Sequence, residues 1–133
     1  MRNISCVMLF LAALLLVDCT SADKSADEAF KNIPIEEFDH LRKSNDVQLV
    51  DVRTAEEVAN GRIEGSVNMD FKGSDFSSLL ETLDKDKLVL LYCASGARSG
   101  RALELMKDSG FKEVYNLDGG LKAWQAAGMP VVK

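Results

Sequence analysis

Apolar residues run almost unbroken over residues 4–17, and beyond them they recur only in short blocks divided by polar and charged residues. At 14 residues the first run is short for a bilayer span and has the length of the apolar stretch of a secretory leader. The later blocks alternate between the periods of helix and strand. Ile35, Phe38 and Leu41 form a helical stripe behind Pro34, extending to about Lys43. Residues 47–52 (VQLVDV) are β-branched and apolar and predict a buried strand. Thr54 with Glu57 three residues on reads as a capping box for a short helix that ends at Gly61. Residues 66–69 predict a short strand, and Phe76, Leu79, Leu80 and Leu83 a helical stripe. Residues 88–92 (LVLLY) form the most apolar strand candidate after the leader. A loop follows over residues 93–98. Residues 99–109 then predict a helix with Leu103 and Met106 inward and Gly110 as its C-terminal cap. Residues 113–117 predict a strand, and residues 120–127 a last helix stopped by Gly128 and Pro130. Strands alternating with short helices imply an α/β fold: a parallel sheet covered on both faces.

The chain has 133 residues, 47% apolar and 28% charged, which fits one globular domain with a core of its own. Its net charge of −5 argues against a nucleic-acid footprint, so any attraction for an anion must be local. Arg2 precedes the apolar run, and Thr20-Ser21-Ala22 offers small residues for cleavage after Ala22. The expected organisation is a signal peptide over residues 1–22, a tether over residues 23–32 and a domain over residues 33–133. The protein is then periplasmic or secreted. Alternatively, Leu16-Val17-Asp18-Cys19 resembles a lipobox, with Cys19 lipidated and the protein held at the membrane, although Asp18 departs from that pattern. A buried core helix is a poorer account of residues 4–17, which lack an amphipathic pattern.

Cleavage after Ala22 removes Cys6 and Cys19 and leaves Cys93 alone. One cysteine cannot staple a domain, so a disulfide framework is excluded and the thiol needs another account. An inert buried cysteine is one. Its surroundings suggest a different one. Cys93 directly follows the strand at residues 88–92, and in parallel α/β sheets ligands sit beyond the carboxyl ends of strands. Ala94, Ser95, Gly96 and Ala97 are small, so backbone N–H groups can turn inward as an anion-binding nest, backed by the start of a helix. Both features favour a thiolate, the reactive form. Arg98 adds a permanent cation with a fork of donors for an oxyanion. A strand-to-helix turn with cysteine as filler accounts for the glycine and not for the arginine. With one histidine and one mature cysteine, no metal site is expected. His40 reads as a surface residue, and Trp124 and Phe111 as core.

The segment from Cys93 to Ser99 resembles the active-site loop of the rhodanese homology domain, C-x-x-G-x-R-S, with Cys93, Gly96, Arg98 and Ser99 at the fixed positions. LVDVRTAEEVANGRIEGSVNM at residues 49–69 is similar to a second signature of that family, matching at Asp51, Arg53, Glu57, Gly61, Ile63, Gly65 and Asn68. NLDGGLKAW at residues 116–124, with Gly128 and Pro130, is similar to its closing motif. The three motifs stand in the family's order and span about residues 33–132. Two positions depart: Arg62 replaces the usual histidine, generally regarded as structural, and Ser66 replaces a common alanine.

The resemblance implies a rhodanese-like, five-stranded, mainly parallel sheet with helices on both faces. It also implies a sulfurtransferase of the thiosulfate sulfurtransferase type, without cofactor. Cys93 would take the outer sulfur of thiosulfate or a similar small donor as a persulfide and pass it to a thiol or cyanide. The substrate would be bound by Ala94, Ser95, Gly96, Ala97, Arg98 and Ser99, with Arg98 on sulfonate-like oxygens and Ser99 chiefly capping the helix. Asp51 and Arg53, at the end of the 47–52 strand, would brace the loop by a salt bridge or hydrogen bonds. Four residues separate Cys93 from Arg98, whereas the phosphatases of the same fold carry the longer C-x5-R. The shorter loop suits a sulfur atom and crowds a phosphoryl group. Two alternatives stand beside this: a sulfur-carrying or redox-sensing module that serves a protein acceptor, and a phosphatase or arsenate reductase. No nucleic-acid partner is expected, and nothing demands more than a monomer.

Overall fold

The computed structural model describes residues 21–133, so the apolar run at residues 4–17, on which the signal-peptide reading falls, and Cys6 and Cys19 lie outside the described residues. In chain order the elements are α1 (Ser21–Ala29), β1 (Phe30–Ile33), α2 (Ile35–Arg42), β2 (Gln48–Asp51), α3 (Ala55–Ala59), β3 (Val67–Asn68), α4 (Phe76–Leu80), β4 (Val89–Tyr92), α5 (Ala97–Asp108), β5 (Val114–Leu117) and α6 (Gly120–Ala126). The strands form one sheet of five in the order β1-β5-β4-β2-β3, and every pairing is parallel. β4 is central and all four of its residues are buried, as its unbroken apolar sequence requires.

Alternation along the strands sorts the core into two faces. Val50, Val89, Leu91, Cys93 and Val114 meet Phe76 and Leu80 of α4 and Ala102, Leu103 and Met106 of α5. Leu49, Leu90, Tyr92 and Leu117 meet Phe38 of α2 and Leu121 and Trp124 of α6. Each Val, Leu, Phe or Met side chain among them contributes about 1.5–3 kcal/mol by leaving water. Trp124 and Phe111 are both core residues, and His40 is exposed.

Two boundaries differ from the sequence reading. The segment read as a tether over residues 23–32 contains structure. Ser21–Ala29 is helical, and Phe30–Ile33 pairs residue for residue with β5. In FKNI each face of the strand receives a single apolar residue, Phe30 on one side and Ile33 on the other, so no run or alternation was long enough to see. The helix read from residue 99 starts at Ala97, because Gly96 takes a left-handed conformation (φ 96°) and closes the loop two residues sooner.

The chain runs from β2 through α3 to β3 on one side and from β4 through α5 to β5 on the other. The carboxyl ends of β2 and β4 therefore flank the point where the strand order diverges, where α/β sheets open a crevice. Asp51, Arg53 and Cys93 lie at these two strand ends.

Candidate active site

Cys93 leaves the central strand 1% exposed, at the foot of a turn that Gly96 ends. Its Sγ accepts the Gly96 N–H at 3.1 Å and the Ser99 hydroxyl at 3.3 Å. Burial alone would raise this thiol. The Ser99 hydroxyl and the backbone N–H groups of Ser99, Ser95 and Gly96 outweigh burial and hold it below its ordinary value. Ser99 thus sits inside the first turn of α5 and serves the sulfur, where capping had been expected. The cap position belongs to Gly96, which makes no side-chain cap.

The loop's carbonyls are drawn the other way. Leu121 N–H donates to the Cys93 carbonyl at 2.8 Å and Lys122 N–H to the Ala94 carbonyl at 3.0 Å, so the start of α6 holds the outer side of the turn. The closeness of that packing explains the glycine at position 120: a Cβ there would stand 2.6 Å from the Cys93 carbonyl oxygen. Asn116 in β5 completes the support, its Nδ2 donating to Asn32 Oδ1 at 2.9 Å and to the Gly96 carbonyl at 3.3 Å. Ser95 and Ala97 are exposed at the surface of the loop.

Asp51 and Arg53 form a buried salt bridge at 2.6 Å and do not bond to Cys93. Arg53 reaches on to the carbonyls of Glu57 (3.3 Å) and Gly61 (2.8 Å), a cation at the carboxyl end of α3. Asn68 fastens the same turn through the carbonyls of Asp51 and Arg53. The pair therefore braces α3, and α3 carries Glu57. Glu57 forms the expected capping box with Thr54, and it also receives Arg98, Nη1 at 2.8 Å and Nη2 at 2.7 Å. The Arg98 hydrogen bonds lower the Glu57 carboxyl to about 2 against the opposing effect of burial. The guanidinium is thus engaged with a carboxylate 41 positions away in sequence.

Beneath the loop, the Tyr92 hydroxyl accepts Ile63 N–H and pairs with Ser66 Oγ, each at 3.0 Å, and burial pushes the phenol up to about 12. Ser66, one of the two departures from the family pattern, thereby gains a specific partner. Arg62, the other, bonds its backbone to Val132 in both directions and places Nη1 3.4 Å from the Ser66 carbonyl.

The structure brings Cys93, Gly96 and Ser99 together around one sulfur and turns Arg98 to Glu57. Sequence reasoning had given Glu57 only a capping role and had not singled out Asn116, although both lie inside the quoted motifs. Among the described residues no group of three or more His, Cys, Asp or Glu could hold a metal ion.

A family model described as a rhodanese-like domain matches residues 34–127. The chain is 29% identical over 99 residues to the thiosulfate sulfurtransferase GlpE of Shewanella oneidensis, across 74% of this chain and 96% of that protein. It is 37% identical over 92 residues to a sulfurtransferase of Allochromatium vinosum, across 69% of this chain and 84% of that one. A crystal structure of a rhodanese-related protein from Thermoplasma volcanium matches with a TM-score of 0.69 at 28% identity, covering 77% of this chain and 98% of the other. By the family match over most of its length and by these relatives, the chain belongs to the family of rhodanese-like domains.

Proposed function

We propose that the protein is a sulfurtransferase that moves a sulfane sulfur from thiosulfate or a similar donor to a thiol or cyanide, through a persulfide on Cys93. The observation that carries this reading is the pair of donors aimed at Sγ, the Gly96 N–H and the Ser99 hydroxyl. They favour the thiolate as nucleophile, and the same turn can hold the terminal sulfur of a persulfide.

In the first half-reaction the Cys93 thiolate attacks the outer sulfur of the donor. A new S–S bond forms, the donor's own S–S bond breaks, and sulfite leaves with its electron pair when the donor is thiosulfate. In the second, the acceptor attacks the terminal sulfur and the Cys93 thiolate is the leaving group. A thiolate nucleophile needs no separate general base. The names of the relatives support this chemistry. The turn that closes at Gly96, and the engagement of Arg98 with Glu57, speak against a phosphoryl group at the same place.

The apolar run at residues 4–17 and the small residues up to Ala22 support an exported protein, periplasmic or secreted after cleavage, with a lipoprotein anchored at Cys19 as the alternative. A monomer with no nucleic-acid partner is the working state, and a protein sulfur acceptor stands beside the small-molecule ones.

The test is mass spectrometry of the mature protein after thiosulfate. A single-sulfur adduct on Cys93, absent from Cys93→Ser, is expected. No adduct with thiosulfate or with an organic hydropersulfide, or turnover that survives Cys93→Ser, overturns the reading.

A further inference from the structure

Arg98 is the one cation of the loop motif, and its charge is already answered. The ion pair with Glu57 is two-pronged and part-buried, the guanidinium 14% and the carboxylate 35% exposed. This is the strong form of such a contact. Glu57 is fixed in turn, because its Oε2 accepts both the N–H and the hydroxyl of Thr54 at 3.0 Å. Asp70 is a second acidic group within electrostatic reach of Arg98. Arg101, one turn further along α5, is directed over the Phe71 ring at 5.4 Å. Ala94, Ser95, Gly96 and Ala97 carry no charge. A donor that approaches Cys93 therefore meets an arginine whose field a carboxylate has largely cancelled.

Two classes of sulfane-sulfur donor make different demands on such a site. Thiosulfate arrives as a dianion and releases sulfite, so attack by a thiolate gathers three negative charges and calls for a free cation. An organic hydropersulfide, R–S–SH, is attacked as a neutral species. The Cys93 sulfur bonds to its outer sulfur, the R–S bond to that sulfur breaks, and R–S⁻ leaves with the electron pair while the proton stays on the new Cys93 persulfide. One negative charge is carried throughout, and a site without net positive charge suffices.

We infer that Glu57 is a specificity-determining residue: by holding Arg98 in an ion pair, it turns the Cys93 site away from dianionic donors and toward organic hydropersulfides. This rests on the sulfurtransferase reading above and refines its donor.

Glu57→Gln is the direct test, because glutamine has nearly the same shape and also serves in a capping box. The measurement is kcat/KM with thiosulfate and with cysteine hydropersulfide, cyanide being the common acceptor, alongside mass spectrometry of Cys93 loading. Removing the charge should raise the thiosulfate value roughly tenfold and leave the hydropersulfide value within about twofold. An unchanged ratio of the two donors, or a parallel fall in both, overturns the inference. Thr54→Ala keeps the carboxylate and loosens the cap. It should keep the wild-type ratio, and a shift as large as that of Glu57→Gln would assign the effect to α3 and overturn the inference as well. In the wild type, thiosulfate as the better donor would also overturn it. If neither donor loads Cys93, the sulfurtransferase reading itself fails, an outcome distinct from loading with an unaltered donor ratio.

Discussion

The Ser99 hydroxyl donates to the Cys93 sulfur across 3.3 Å from inside the first turn of α5, with both residues buried. Burial opposes the thiolate here, and the hydroxyl is the largest of the influences that overcome it. Ser99→Ala leaves the backbone donors in place and removes that hydroxyl. The pH midpoint of Cys93 alkylation by iodoacetamide should move upward, and the alkylation rate near pH 7 should fall about three- to tenfold. A midpoint that stays where it is would assign the thiolate to the backbone alone.

The Glu57–Arg98 pair should register in stability as well as in specificity. The folded carboxyl lies at about 2 against an ordinary 4.5, so its charged form is favoured by folding. The sign follows: this contribution is fully present above about 4.5 and is lost as pH falls toward about 2. With a carboxylate 35% exposed, solvent screening leaves about 1 kcal/mol of it. Denaturant unfolding at about pH 6 and about pH 3 should therefore show the wild type losing more stability than Glu57→Gln over that interval. Equal losses in the two proteins would mean that the pair adds nothing to the fold.

How much of this was legible beforehand depends on where the controlling contacts lie. The run at β4, the capping box at Thr54 and the position of Cys93 at a strand end are local, and each shows in a few consecutive residues. The pairing of Arg98 with Glu57 joins two motifs 41 positions apart, and no period or spacing in the chain expresses it. β1 escaped notice because an edge strand with one apolar residue per face, paired only to β5, carries too little pattern. The start of α5 was misplaced because its boundary is set by the Gly96 backbone and not by a polar cap.

Asn116 joins β1, β5 and the sulfur loop through one amide. Its Nδ2 is shared between Asn32 and the Gly96 carbonyl, while its buried Oδ1 has no hydrogen-bond partner. Turning the amide over would set oxygen against the Gly96 carbonyl, so the loop decides the orientation and the orphaned oxygen is the consequence. Asn116→Asp keeps the shape and removes the donor. Sulfur loading of Cys93 should slow about tenfold as the Gly96 peptide loses its brace. Asn116→Ala should cost about 1–3 kcal/mol in denaturant unfolding. Loading at the wild-type rate in Asn116→Asp would show that the Gly96 peptide holds its place without the amide.

The start of α6 should tolerate no side chain at Gly120. A Cβ there would lie 2.6 Å from the Cys93 carbonyl oxygen and 2.8 Å from the carbonyl of Ala94, and the backbone is left-handed at φ +61°. The neighbours are backbone atoms of the loop itself, so relief requires moving the turn that aims Gly96 N–H at the sulfur. Gly110 separates the two effects, since it is left-handed too, at φ +88°, with nothing within 4 Å of the added carbon. Gly110→Ala should cost about 1–2 kcal/mol from conformation alone and leave Cys93 loading unchanged. Gly120→Ala should cost about 3 kcal/mol or more and slow loading in the molecules that remain folded. Unfolding in denaturant gives the first comparison, and loading measured well below the transition gives the second. If Gly120→Ala loads sulfur as fast as Gly110→Ala, the contact between α6 and the loop supports the fold and not the geometry of Cys93.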